Sequence, residues 1–304
     1  ELQEKIDNAN AWELDRTVIW KGDGYLEEFE INLVFQLLSR LNTPRVMIDV
    51  GAHLGMSLWR FASTGYQVYA FEPNPEIKAG LIKNCQKRPN VHIDGRAVTE
   101  ISGEERDLYT GAGEGTSTLS PFYDVHTPTD RVRTVTLEDF CNEQSISEIG
   151  FLKVDAEGFD LPVLKSLPWD RIEPFAVSAE YQNLVSVRLG YSFDDLCMFM
   201  TDRGYQVLVS EWYSFGDEEL KVPTWRRFDR YPCQLADKWS WGNIICVREE
   251  EEFERLFAAA KMAEKFISGL EDPNLKPFLS EMTLARRAAT IQEQVELIGV
   301  YMGN

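Results

Sequence analysis

The chain has 304 residues, 44% of them apolar, with 31 Lys and Arg against 50 Asp and Glu, a formal charge of −19. That charge argues against a phosphate-backbone partner such as DNA or RNA, and the apolar content with no run near the roughly 20 residues of a bilayer span predicts a soluble globular protein. The five cysteines, Cys85, Cys141, Cys197, Cys233 and Cys246, never fall in C-x-x-C spacing, so neither a disulfide framework nor a zinc cluster is expected, and a cytoplasmic location follows.

In chain order, Glu1-Leu-Gln-Glu-Lys5 lacks the basic-then-apolar order of a signal peptide. Leu26 to Leu41 repeats apolar residues at Phe29, Ile31, Leu33, Val34, Leu37 and Leu38 and stops before Pro44. This predicts a helix on a sheet or over a ligand, closing an N-terminal extension over 1–43. Val46 to Val50 then reads as a strand ending in Gly51-Ala-His-Leu-Gly55, with a helix over 55–64. Glycine lets another molecule approach the main chain, so this loop predicts bare backbone N–H groups offered to a cofactor. Glu72 ends the next strand, 67–72, about twenty residues on, where such folds grip the two hydroxyls of a ribose.

A dinucleotide loop wants G-x-G-x-x-G so that backbone can meet a pyrophosphate, and here the middle position is His53. S-adenosylmethionine (SAM) carries a ribose and an amino-acid tail without phosphates. Asp49, the Gly51-Ala52 turn, His53 and Gly55 would meet that tail, with Glu72 on the ribose. The competing reading is a glycine turn used only for strand-to-helix packing.

A helix over 75–87 and a strand over 90–98 continue an alternation that predicts a parallel sheet covered on both faces. Residues 104–136, with Gly111, Gly113 and Gly115, break the rhythm and predict short hairpin strands and a polar loop carrying His126. Thr136 reads as the N-cap of a helix, with Asp139 three residues on. Strand 149–155, helix 160–167, strand 174–180, helix 192–203 and strand 205–211 resume the alternation. Trp241 to Arg248 reads as a last strand antiparallel to 205–211, closing a domain over 44–248. The connection 212–240 is rich in aromatics and arginines; it either stacks on a sugar or grips an acidic carrier, or it seals the sheet edge. The tail 249–304 predicts two amphipathic helices, 253–267 and 277–301. The apolar face of Leu284, Ile291, Val295, Leu297 and Ile298 would form a homo-oligomer seam or pack on its own domain.

Asp155, Glu157 and Asp160 cluster at the carboxyl end of a central strand, where open α/β sheets bind ligands, and Glu180 ends the neighbouring strand. Asp155 and Glu180 could hold a divalent cation such as Mg, or one could act as general base. Glu157 and Asp160 read equally as caps of the following helix.

Asp49-Val-Gly-Ala-His-Leu-Gly55, Phe71-Glu-Pro-Asn-Pro75, Ala97-Val-Thr-Glu100, Thr136-Leu-Glu-Asp-Phe140 and Leu152-Lys-Val-Asp-Ala-Glu-Gly158, in this order, resemble the FkbM family of SAM-dependent methyltransferases, over about residues 44–182. The resemblance implies a Rossmann-like, seven-stranded class I methyltransferase sheet with N-terminal and C-terminal helical additions. It also implies O-methylation of a hydroxyl on a sugar, glycan or secondary metabolite. It would place Asp49, Gly51 and Gly55 at the methionine end of SAM, Glu72 at the ribose and Asp155 by the reacting methyl. Where the family often has Asn, this chain has Gly95, which leaves Asp94, Arg96 and Ala97 as adenine contacts. Where a His often follows the acid of the fifth strand, this chain has Tyr181. Two other readings compete on the residues: a nicotinamide-dependent oxidoreductase, disfavoured by His53 and the lack of a Tyr-x-x-x-Lys pair, and a non-catalytic module interacting through its acidic tail.

Overall fold

The computed structural model describes residues 28–111, 117–122, 126–214 and 225–270. Helix α1 (Glu28–Leu38) leads into β1 (Val46–Val50), α2 (Trp59–Ser63), β2 (Gln67–Phe71), α3 (Pro75–Cys85) and β3 (Val91–Asp94). A second group follows: β4 (Ala97–Val98), β5 (Glu105–Thr110), β6 (Ser117–Thr118), β7 (Thr127–Val135) and α4 (Leu137–Gln144). The chain then returns through β8 (Phe151–Val154), α5 (Asp160–Lys165), β9 (Ala176–Gln182), α6 (Asn183–Ser186), α7 (Phe193–Thr201), β10 (Gln206–Trp212), β11 (Trp225–Arg230), β12 (Trp241–Val247) and α8 (Glu250–Leu270).

The main sheet runs β3-β2-β1-β8-β9-β12-β10-β11. The first five strands are parallel neighbours, and β12 is antiparallel to both β9 and β10. Without its last strand this is the seven-stranded class I methyltransferase order. β11 adds an eighth strand at the edge. Central strands β1 and β8 are apolar on both faces because helices cover both. One face packs Met47, Phe151, Ala176 and Ile245 against α1, α2 and α8; the other packs Ile48, Leu152, Val154 and Val177 beneath α4, α5 and α7. After β1 the chain winds outward to β3, and it comes back on the other side at β8. The carboxyl ends of β1 and β8 therefore flank the switch point where such sheets bind ligands.

Local signals set several boundaries. Asn74 caps α3, its side chain accepting from the Glu76 and Ile77 N–H groups with Pro75 at the first helical position. Thr136 caps α4 through the Asp139 N–H. The strand expected over 90–98 is two strands, because the Arg96 N–H bonds back to Asp94 Oδ1 at 2.8 Å and turns the chain. β3 stays in the main sheet, while β4 opens a second sheet, β4-β7-β5-β6, over a small core of Ala97, Leu108 and Val132. The helix expected over 55–64 shrinks to α2, since 53–58 are turns.

The described part of the aromatic and arginine-rich connection seals the sheet edge. Trp225 and Phe228 of β11 are buried, and Arg230 pairs with Glu254 at 2.7 Å while lying over the Phe253 and Phe257 rings. Arg227 donates to Glu211 at 2.7 Å. Glu211 is fully buried and also accepts from the Ala236 N–H and the Ser240 hydroxyl, both at 2.8 Å, which fastens the segment before β12 to β10. Helix α8 packs on its own chain through Phe253, Leu256, Ala260 and Ala263. On the same face, Glu30 of α1 accepts from the Trp212 indole at 3.0 Å and from Asn243 at 2.6 Å. The helix expected over 277–301, with its apolar face, lies outside the described residues.

Candidate active site

At the switch point the loop after β1 turns sharply, with Gly51 at φ +79°, His53 at +47° and Gly55 at +88°. A side chain at Gly51 would place its Cβ 1.9 Å from the Asp155 carbonyl oxygen, and one at Gly55 would meet Leu81 at 2.8 Å. Both glycines are therefore required by protein packing. The loop's N–H groups are engaged as well: Gly51 and Ala52 donate to the Phe71 carbonyl at 3.1 and 2.9 Å, His53 to Glu72 Oε2 at 3.0 Å and Gly55 to the Ala52 carbonyl at 2.8 Å. The expectation of bare N–H donors is corrected here for these four residues, because the end of β2, Glu72 just past it and the loop's own Ala52 carbonyl supply their acceptors.

What the loop gathers instead is carboxylate. Glu72 is 4% exposed and holds the N–H groups of His53 and Asn74 on its two oxygens. Burial pushes its pKa up to about 7. Asp49, fully buried, accepts from the Ser57 hydroxyl. Lys153, which the sequence reading passed over, lies between the acids. Its ammonium is 3.3 Å from Asp49 Oδ1, 3.3 Å from Asp155 Oδ2 and 3.1 Å from the Gly51 carbonyl oxygen. The two carboxylates raise its pKa against the opposing effect of burial. The signal was present: in Lys153-Val-Asp155 a two-residue spacing puts ammonium and carboxylate on one face of a strand.

Residues 49–207, more than half of the chain, match the methyltransferase FkbM domain. The chain belongs to the FkbM methyltransferase family. A curated relative, the hexuronic acid methyltransferase AglP of Haloferax volcanii, is 27% identical over 143 residues, 45% of this chain and 56% of the relative. The chain thus spans about half the length of that relative. Among solved structures, an O-methyltransferase from Bacillus cereus in complex with SAH aligns at 8% identity and TM-score 0.42 over 80% of this chain and 90% of its own. A precorrin-6y C5,15-methyltransferase from Geobacter metallireducens aligns at 14% and 0.37 over 71% and 86%.

In this member of the family the structure brings together Asp49, Gly51, Ala52, His53, Glu72 and Asp155 at the tips of β1, β2 and β8. Gly55 sits one turn behind, against α3. One step past the last registered pair, Val154 and Ala179, Asp155 at the tip of β8 stands beside Glu180, which lies within β9 rather than ending it, because pairing with β12 carries the strand on to Gln182. The adenine-side candidates are placed differently. Asp94 is clasped by the Arg96 guanidinium at 2.7 Å, Arg96 also pairs with Glu143, and Ala97 is buried in the second sheet. Asp160 is buried and accepts from the Ala156 and Gly158 N–H groups, so it closes the turn after β8 rather than capping α5 by its side chain. Glu157 heads the same turn at φ +48°, and its carbonyl accepts from Thr118 of the second sheet at 3.2 Å. Asn74 reaches Ser117 at 3.0 Å, so β6 crosses the mouth between the tips of β2 and β8.

Tyr181 points away from this mouth, buried on the opposite face with its hydroxyl on the Ser210 carbonyl at 3.1 Å. His126 is buried, its pKa lowered to about 4 by desolvation, and its Nδ1 accepts from the Phe122 N–H. His92 stacks on Tyr69 as a strand residue. The donor set does not support the divalent cation expected on Asp155 and Glu180. The Lys153 ammonium lies between Asp155 and the Asp49 carboxylate, 3.3 Å from each. Among the described residues no group of three or more His, Cys, Asp or Glu could hold a metal ion. Among those residues, too, no helix is long and apolar enough to cross a membrane.

Proposed function

We propose that this chain is a SAM-dependent O-methyltransferase acting on a hydroxyl of a sugar, glycan or other small metabolite. The observation that carries this reading is the polarity of the loop: the N–H groups of Gly51, Ala52, His53 and Gly55 already donate inside the protein, while Glu72 and Asp155 stand as acceptors at the strand tips, with Asp49 buried behind them against Lys153. A pyrophosphate wants N–H donors, so a nicotinamide dinucleotide is poorly served. A ligand with a ribose diol, an ammonium and a sulfonium suits a mouth of carboxylates. Glu72 would accept from the ribose hydroxyls and Asp49, with the loop, would hold the methionine end.

SAM, when bound, supplies a methyl group already activated by its sulfonium. The chain's task is then to orient the acceptor oxygen, exclude water and take up the hydroxyl proton. Asp155, whose side chain is 39% exposed, is the acid open to an acceptor, and Glu180 stands next to it. AglP, by its name a hexuronic acid methyltransferase, favours a sugar acceptor. The five cysteines are free thiols, in keeping with a reducing, cytoplasmic setting.

Calorimetric titration with SAM, SAH and NAD tests the cofactor. Micromolar binding of the first two without the third is expected. Binding of NAD alone would overturn the reading.

A further inference from the structure

Two buried polar atoms near the carboxyl edge of the sheet have no hydrogen-bond partner, Gln182 Oε1 and Trp239 Nε1. Gln182 ends β9 and is only 5% exposed. Residues two apart on a strand share a face, so Gln182 stands above Glu180 while the intervening Tyr181 points to the other side. Its partner across the sheet is Trp241. Trp239, in the turn before β12, is partly buried and packs against the apolar cluster that holds Trp241 and Trp212. Asn183, next to Gln182, donates to the Lys238 carbonyl at 2.8 Å, which holds the start of β12 against the end of β9. The orphan acceptor and the orphan donor therefore lie on adjoining stretches of chain, against indole rings.

A buried amide oxygen or indole N–H without a partner costs stability until something bonds it. One uncharged acceptor and one uncharged donor on adjoining stretches of chain can complement a single hydroxyl, which donates to the first and accepts from the second. Aromatic walls with a few placed polar groups are the usual lining of a small-molecule pocket. One strand spacing and two residues of strand separate the Asp155 tip from Gln182, about 8 Å. That is the reach of one sugar ring with its hydroxyls.

We infer that Gln182 and Trp239 form the acceptor subsite, binding a non-reacting hydroxyl of a sugar ring so that another hydroxyl faces Asp155. This rests on the reading above that methyl transfer takes place beside Asp155. In the sequence Trp239 stands only as one of many aromatics in a connection that could stack on a sugar, and Gln182 lies past the expected end of its strand.

The test is binding of methyl β-D-glucuronide and methyl β-D-glucoside to protein saturated with SAH, followed by calorimetry and indole fluorescence. Wild type is expected to bind at least one glycoside. Gln182→Leu and Trp239→Phe are each expected to weaken that binding at least tenfold, with SAH affinity and melting temperature kept. Gln182→Glu, which keeps an acceptor oxygen, is expected to restore most of the glucoside affinity lost in the Leu variant. Wild-type protein that binds SAH but neither glycoside, or Leu and Phe variants that bind as wild type does, would overturn the subsite. Failure of wild type to bind SAH would instead overturn the cofactor reading, and the subsite with it.

Discussion

Replacing Lys153 with Met keeps the length of the side chain and removes its charge. Asp49 is 0% exposed and Lys153 11%, so the change leaves a buried carboxylate facing an apolar thioether. Removing one partner of such a pair costs about 3–5 kcal/mol, because the remaining charge has no solvent to turn to. The Asp155 contact adds little, since that acid is 39% exposed and screened by water. The Gly51 carbonyl loses a donor as well, for about 1 kcal/mol. Urea unfolding of Lys153→Met is therefore expected to show a loss of about 4–6 kcal/mol. Asp49→Asn in the same chain should recover much of it, since an amide oxygen can still accept from Ser57. A cycle of the two single variants and the double variant should give a coupling of at least about 2 kcal/mol. Additivity within about 0.5 kcal/mol would refute the claim that this ammonium exists to neutralise Asp49.

Burial raises the Glu72 pKa from 4.5 to about 7, so the folded state holds this proton more tightly than the unfolded chain does. The resulting stabilisation is complete below about pH 4.5 and is lost as pH rises through 7, an effect of at most about 3 kcal/mol. Glu72→Gln should flatten the fall in urea midpoint between pH 5 and pH 8 relative to wild type, and should weaken SAH binding; equal slopes in the two proteins would show that burial is not what governs this carboxyl. Gly51→Ala forces a Cβ to within 1.9 Å of the Asp155 carbonyl oxygen at a positive φ, so a loss above about 3 kcal/mol or failure to fold is expected in a thermal melt. A melt like that of wild type would mean the two strand tips are free to part.

Much of the architecture was readable because short-range rules governed it. The apolar strands β1, β8 and β9 carry the continuous or alternating patterns of buried strands, and Asn74 and Thr136 announce their helices by capping chemistry. The acids at strand ends were also visible, since topology alone puts Asp155 and Glu72 at the switch point. What escaped depends on partners distant in sequence. The loop N–H groups find Phe71 and Glu72, and Gly51 is shaped by the Asp155 carbonyl, neither of which the loop's own residues reveal. Strand β11 was hidden because its buried residues, Trp225 and Phe228, are three apart and do not alternate. The strand over 90–98 was overrun because the turn that breaks it is made by a side chain, Asp94 onto Arg96.

The Glu211 anchor has a bearing on how the proposed subsite could change its preference. Ser240 is gripped on one face by that carboxylate, whereas Trp241 is buried in the apolar cluster of the other face and Trp239 stays partly exposed against it. On the proposed subsite, rigidity lies with Ser240 and choice with Trp239. A lineage, or an engineer, could exchange the Trp239 indole for another shape while the rearward clasp keeps the backbone where it is.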